Sequence, residues 1–130
     1  MRLGCFKAIQ FLCFATLANV GFAQGPTSHW YFGDTAGIQF NNYNPTFFLN
    51  SNLFLAPEGC AALSNSNGEL LYYARPDYAL NQNHDTLENG SQLNGSFSST
   101  QGALFIPNPI DSSIIYLITQ GGLTHSYSIL

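Results

Sequence analysis

Residues 58–75 (EGCAALSNSNGELLYYAR) limit the possible folds of this chain more than any other stretch. A short apolar run, Gly59 to Ser64, is followed by the turn signal Asn-Ser-Asn-Gly and then by a run rich in Leu and Tyr. The pair Asn-Gly tolerates the positive φ angles of a type I′ turn, which folds two strands back on each other with the right twist. The stretch therefore predicts an antiparallel hairpin.

The second strand of this hairpin is apolar on both faces. Strict alternation places Leu71 and Tyr73 on one face and Leu70 and Tyr72 on the other. A strand that is apolar on both sides is typical of a sheet that is covered from both sides. The pattern therefore predicts that the hairpin lies inside a stack of sheets and not at its edge.

The chain beyond residue 23 has the pattern of an all-β protein. Seven or eight short strands are separated by Gly, Asn and Pro, and no stretch shows a helical period with capping residues. Besides the hairpin, the main strands are predicted at residues 29–33, 36–41, 46–55, 102–107, 114–119 and 123–130. Residues 76–101 are predicted to be mostly turn and loop, with short extended pieces at 78–81 and 86–87.

The first 23 residues have the three-part layout of a secretory signal peptide. Arg2 and Lys7 flank the start of a mostly apolar segment, and Gly21-Phe22-Ala23 places small residues where a signal peptidase reads them. The apolar segment has roughly half of the ~20 residues that a membrane span needs. We therefore expect a signal helix cleaved after Ala23, export to the periplasm or the cell surface, and no membrane span in the mature chain.

The mature chain is acidic. After residue 23, Arg75 is the single Lys or Arg against seven carboxylates. Such a chain has no patch that neutralises phosphates, so nucleic acid is not a predicted partner. Cys60 is then the single cysteine, which excludes an intramolecular disulfide and a cysteine-based zinc site within the mature chain and predicts a small buried hydrophobe.

Four ordered pieces of the sequence resemble the N-terminal part of a family of large secreted proteins of Bacteroidota. The pieces are WYFG at 30–33 with AGIQFN at 36–41; EGCAA at 58–62 with Ser64 and Asn67-Gly68; 81–84 with Asn89-Gly90; and SSTQ at 98–101 leading to Ile106-Pro107 and Ile115-Tyr116. Members of this family typically begin with a β-propeller of WD-repeat-like shape and end in a sorting domain for type IX secretion. Many are labelled gliding-motility-associated.

The resemblance implies that residues 24–130 form one to two blades of a partial β-propeller. The chain ends within the alternating run LTHSYSIL, which predicts a domain truncated at its C-terminus. The implied function is that of an exported, non-catalytic interaction or surface-structural module, with a role in adhesion or gliding and with a protein or a surface glycan as partner. The sequence departs from the family pattern at Asn65 and at Ala74-Arg75.

Two other functions stay open. The aromatic residues of the strands form a candidate sugar-stacking platform, with Trp30 and Tyr31 as the ligand-stacking candidates, although core packing competes for the same side chains. This leaves a carbohydrate-binding or carbohydrate-active propeller as one alternative. A gene fragment without a function of its own is the other.

No catalytic residue, cofactor or metal site is predicted. The chain has three histidines but no Gly-x-Ser-x-Gly elbow of a serine hydrolase. A glycosidase needs two carboxylates that flank one bond, and the available acids are Glu58, Asp77, Asp85 and Glu88. Residues 81–85 begin like a calcium loop, but Thr86 and Gln92 stand where that loop requires Gly and Glu.

Two tripeptides resemble the O-glycosylation sites of secreted Bacteroidota proteins. They are Asp34-Thr35-Ala36 and Asp85-Thr86-Leu87, in which an Asp-Thr pair precedes a small or apolar residue. The resemblance implies Thr35 and Thr86 as the modified residues.

Overall fold

The computed structural model describes residues 25–41, 44–56 and 58–121. The predicted signal helix, its cleavage site at Ala23 and the predicted strand at 123–130 lie outside the described residues. The described part contains a 3₁₀ turn at Gly25–Thr27 and otherwise only strands, so the prediction of an all-β chain of antiparallel hairpins is confirmed. The nine strands are β1 (His29–Tyr31), β2 (Ala36–Asn41), β3 (Asn44–Leu49), β4 (Ala61–Ser64), β5 (Leu70–Arg75), β6 (Tyr78–Asn81), β7 (Thr86–Ser91), β8 (Ala103–Pro107) and β9 (Ile115–Thr119).

The nine strands form three antiparallel sheets in chain order. Sheet A is β1-β2-β3, sheet B is β4-β5-β6-β7 and sheet C is β8-β9. Strands that follow each other within a sheet also pair with each other, so each sheet is a simple meander. The first strand of sheet B, β4, packs beside the first strands of the other two sheets, β1 and β8. The described strands do not close into a barrel or a ring.

Sheet B lies between sheets A and C, and each of its faces carries one hydrophobic core. The core between sheets A and B contains the buried residues Tyr31, Leu53, Tyr73 and Leu80. The core between sheets B and C contains Leu63, Ala74, Ala79, Ala103, Phe105 and Leu117. The prediction that the 58–75 hairpin lies inside a stack is therefore confirmed.

A β-bulge changes the faces predicted for β5. Leu63 pairs with Tyr72 and Ser64 with Leu70, so Leu71 is an extra residue opposite that step. A bulge of this kind puts two successive side chains on the same side of the sheet. Leu71 and Tyr72 accordingly both pack toward sheet C, and Leu70 and Tyr73 pack toward sheet A. The pairing of Leu71 with Tyr73 on one face, which strict alternation predicted, is wrong.

The turn of this hairpin is also different from the predicted one. Gly68 has a φ of 83°, but Asn67 is not among the residues with positive φ, whereas a type I′ turn needs both. The hairpin is instead closed by a three-residue loop with Gly68 in the left-handed conformation, the form that accompanies a bulge. Two successive positive φ angles occur in the β1–β2 hairpin, at Asp34 (57°) and Thr35 (67°).

Two further segments differ from the sequence-based expectation. The predicted strand at 46–55 is strand only up to Leu49, and it begins at Asn44, so that Pro45 lies within it. Proline is tolerated there because β3 is an edge strand, where one side of the backbone needs no hydrogen bond. Within residues 76–101, the extended piece predicted at 78–81 is confirmed as β6, whereas the piece predicted at 86–87 is the start of a longer strand, β7, which continues to Ser91.

Candidate functional site

The face of sheet A that points away from sheet B is apolar, and we call it the outer face of sheet A. Trp30 pairs with Ile38, which pairs with Phe47, so these three side chains form one row across the sheet. Phe40 and Leu49 lie on the same face, because side chains of directly paired residues point the same way and alternate along each strand. The row on the opposite face packs against sheet B and consists of Tyr31, Gly37 and Phe48.

The outer face of sheet A is exposed to an unusual degree for its composition. Phe47 is 75% exposed, Leu49 is 78% exposed and Trp30 is 50% exposed. The face carries no charged side chain, because the residues on it are aromatic, aliphatic or proline. Contiguous exposed apolar surface is a common feature of protein, membrane and ligand interaction sites.

The position of Trp30 is set by two local contacts. Its ring meets the ring of Phe40 edge-on, with 5.2 Å between ring centroids. Its indole N–H donates a hydrogen bond to the carbonyl oxygen of Thr27 over 3.1 Å, which satisfies the polar atom of the ring. The exposed part of the indole is therefore purely apolar and is held in one orientation.

Tyr31, the other predicted ligand-stacking residue, lies in the core between sheets A and B. It is 7% exposed, and its ring stacks on that of Tyr73 with 4.2 Å between centroids. Burial, and after it the charge of Tyr73, raise the pKa of the Tyr31 phenol to about 12, so the group remains neutral at physiological pH. The structure thus separates the two neighbouring candidates, with Trp30 facing solvent and Tyr31 facing the core.

Tyr73 connects this core to a turn of sheet B. Its hydroxyl lies 2.7 Å from Nδ1 of His84 and accepts a hydrogen bond from the backbone N–H of Asn52 over 3.3 Å. The Asn52 side-chain amide donates to the His84 carbonyl oxygen. Burial raises the pKa of the Tyr73 phenol, while the Asn52 hydrogen bond opposes that rise. Tyr73 is fully buried, so these hydrogen bonds connect the core to the turn that contains His84.

The surroundings of Cys60 and Arg75 also restrict what these two side chains can do. Burial raises the pKa of the Cys60 thiol, which the positive charge of Arg75 offsets in part, so Cys60 has the character of the predicted hydrophobe. Arg75 faces Asp77 with 2.8 Å between Nε and Oδ1. Its guanidinium also lies over the rings of Tyr78 and Phe97. Asp77 is therefore engaged in an ion pair.

Sheet C has an apolar outer face of its own. Leu104 pairs with Ile118 and Ile106 pairs with Tyr116, and these residues alternate with the buried ones of the same strands. Leu104 is 45% exposed and Ile106 is 39% exposed. The described stack of three sheets therefore has an apolar face at each end.

The two threonines named as O-glycosylation candidates lie at the ends of strands. Thr35 is half-buried in the β1–β2 turn, and its backbone N–H donates to Leu53 while its carbonyl accepts from Ser51. Thr86 is exposed at the start of β7, and its hydroxyl is hydrogen-bonded to that of Tyr78.

The segment that begins like a calcium loop is a hairpin turn. The side-chain oxygen of Asn81 accepts hydrogen bonds from the backbone N–H groups of Asn83 and Asp85, at 2.8 and 3.0 Å. Within the described residues, no group of three or more His, Cys, Asp or Glu side chains is placed to hold a metal ion. In the same part of the chain, no helix has the length and hydropathy to span a membrane.

Comparison with protein-family models, with curated proteins and with solved structures finds no match to this chain. The functional assignment therefore has to come from the geometry of the described residues. Sequence reasoning named Trp30 but not Phe40, Leu49 or the sheet C residues as surface groups. The alternation of β2 was visible in the sequence, whereas β8 and β9 lie in continuous apolar runs, and neither pattern reveals which face of a strand is covered.

Proposed function

We propose that this chain is an exported, non-catalytic interaction or surface-structural module that associates through the outer faces of its sheet stack. The observation that carries the proposal is the uncharged outer face of sheet A, with Phe47 and Leu49 each about three-quarters exposed. Adhesion or gliding is the role implied by the resemblance to secreted Bacteroidota proteins. Export rests on the signal peptide expected at residues 1–23.

The partner that best fits this face is another apolar β-sheet. Inside the molecule, sheet A already packs on sheet B through aromatic and aliphatic side chains, and sheet B packs on sheet C in the same way. A second copy of the chain presents such a surface on the outer face of sheet C. Contact between different faces of successive copies forms rings or open assemblies, depending on the rotation between them.

We further propose a partial β-propeller as the architecture. Three observations support it: the sheets are antiparallel meanders, they follow each other in chain order, and their first strands adjoin. Propeller blades are four-stranded sheets arranged radially, with a central channel. Sheet B has the four strands of one blade, and sheets A and C flank it as neighbouring blades would.

Sedimentation velocity of the purified chain over a range of concentrations tests the association. We expect concentration-dependent assembly that the double substitution of Phe47 and Leu49 by Ser reduces at least tenfold in affinity. Ile110→Ser is the matched control, because Ile110 is 95% exposed but lies in the loop between β8 and β9. The proposal is contradicted if the chain stays monomeric at all concentrations. It is also contradicted if the double variant and the control assemble as strongly as the unchanged chain.

A further inference from the structure

A groove of about 440 Å³ lies between the outer part of sheet B and sheet C. Its volume is within the range of about 300–1,000 Å³ that is usual for small-molecule sites. One wall is apolar and is formed by Tyr72, Phe105, Leu87 and Ile115. The rings of Tyr72 and Phe105 are 6.2 Å apart and tilted by 34°, so they form a concave surface. This groove is separate from the outer face of sheet A.

The polar side of the groove comes from an irregularity in β7. Leu80 pairs with Thr86, and Tyr78 pairs with Ser91, so two steps along β6 are matched by five along β7. The three additional residues of β7 leave the ladder and form a bulge. Bulges re-aim side chains and are frequent beside binding sites. Here the bulge brings Glu88 and Asn89 to the groove.

Asn89 is held in a backbone conformation that most residues avoid. Its φ is 59°, in the left-handed region, which costs of order 1 kcal/mol or more for a residue with a side chain. Glycine follows directly at position 90, where an added Cβ would lie 2.8 Å from the carbonyl oxygen of Ala79. The bulge is therefore held in one shape by the packing of its backbone against β6.

The polar groups at the groove are free to bind. Within the described residues, no hydrogen bond or ion pair engages the Glu88 carboxylate, the Asn89 amide or the Tyr72 hydroxyl. Ser113 adds a hydroxyl at the rim, which donates to Asp111 and retains its capacity to accept. Together these groups offer several donors and acceptors beside an aromatic wall.

We propose that this groove binds a neutral mono- or disaccharide. The apolar wall would cover the C–H face of a sugar ring, and the carboxylate, amide and hydroxyl would bond its hydroxyl groups. An anionic ligand is disfavoured, because Glu88 lines the groove and the single Lys or Arg of the described residues, Arg75, is paired with Asp77. The inference does not depend on the proposed function.

The groove is suited to binding and not to glycoside hydrolysis. Hydrolysis by the usual route needs two carboxyl groups on opposite sides of the bond that is cleaved. Glu88 is the one carboxylate among the described residues that line the groove. The site therefore holds a sugar without the second acid that a glycosidase requires.

Titration calorimetry of the full chain with a panel of neutral mono- and disaccharides tests the proposal. We expect at least one sugar to bind and Glu88→Ala to weaken it at least tenfold. Glu58→Ala is the matched control, because Glu58 is also exposed and does not line the groove. Ser113→Trp, at an exposed rim position, should block the groove and abolish binding while leaving the circular dichroism spectrum unchanged.

Three outcomes would overturn the inference. The first is that no sugar of the panel binds. The second is that a sugar binds but neither Glu88→Ala nor Ser113→Trp changes its affinity, which would place the site elsewhere. The third is that a quaternary amine such as choline binds in the groove in preference to every sugar, since a carboxylate beside aromatic rings also suits a cation.

Discussion

Two turns of sheet B are built from the same backbone hydrogen bonds and differ in the residue at their fourth position. The β4–β5 turn, Asn65 to Glu69, and the β6–β7 turn, Asn81 to Asp85, each start with an Asn whose side-chain oxygen accepts from two backbone N–H groups. In both turns the fourth residue has a positive φ, 83° for Gly68 and 67° for His84. The first turn uses the residue that costs least there, and the second uses one that carries a side chain.

The difference is explained by what the side chain of His84 contacts. Its Nδ1 is hydrogen-bonded to the Tyr73 hydroxyl, and its ring meets the Tyr73 ring edge-on at 5.7 Å between centroids. Gly68 lies instead against Ser28, where an added Cβ would be 2.8 Å from the hydroxyl oxygen. The cost of the positive φ of His84 is therefore offset by side-chain contacts that anchor its turn to the core, whereas Gly68 has little such cost to offset.

The largest effect is expected from the shared asparagines. Asn65→Ala and Asn81→Ala each leave two backbone N–H groups without their acceptor, so each should lower the free energy of unfolding by about 1–2 kcal/mol. Urea denaturation measures both. Asn50→Ala, at an exposed loop position, serves as the control. A large loss of unfolding free energy for one variant and none for the other would show that the two turns are not equivalent.

Substitutions at the fourth residues of the two turns should differ in their effect on stability. Gly68→Ala should cost about 1–2 kcal/mol, because it adds a side chain at positive φ against Ser28. His84→Gly should be close to neutral, since relief of about 1 kcal/mol of backbone strain offsets the lost bond to Tyr73.

His84→Ala separates the two contributions, because it loses the contacts with Tyr73 and keeps the strain. It should be less stable than His84→Gly by about 1 kcal/mol in the same urea experiment. Equal stabilities of the Ala and Gly variants would mean that the positive φ of His84 carries no cost.

The smallest effect is expected from the histidine beside the first turn. Nδ1 of His29 lies 3.0 Å from the hydroxyl of Ser64, the residue before Asn65, and burial lowers the pKa of His29 below 6.5. As the pH falls, His29 therefore takes up its proton in the unfolded chain before it does so in the folded chain. The stability of the folded state that depends on neutral His29 is complete above pH 6.5 and is lost as the pH falls below that value. His29→Gln should flatten the dependence of the melting temperature on pH between 7.5 and 5.5. An unchanged slope would assign the pH dependence to other groups.

Local sequence was sufficient for features that depend on neighbours in the chain. The turn signals at Asn65–Gly68, the alternation of β2 and the apolar runs of β8 and β9 indicated strands close to those observed. Local sequence was insufficient where the pairing of strands determined the positions of the side chains. The bulge at Leu71 and the larger bulge of β7 arise because partner strands impose a register that strict alternation does not contain. Glu88 and Asn89 became candidate binding residues only through that register.

The all-β chain, its acidic composition and the central hairpin that is apolar on both faces could be predicted from the sequence, because each follows from residue type and a two-residue period. The exposure of Trp30 and the stacking of Tyr31 on Tyr73 depend instead on how the sheets pack. The physical reason is that alternation assigns two neighbours to opposite faces but does not say which face another sheet will cover.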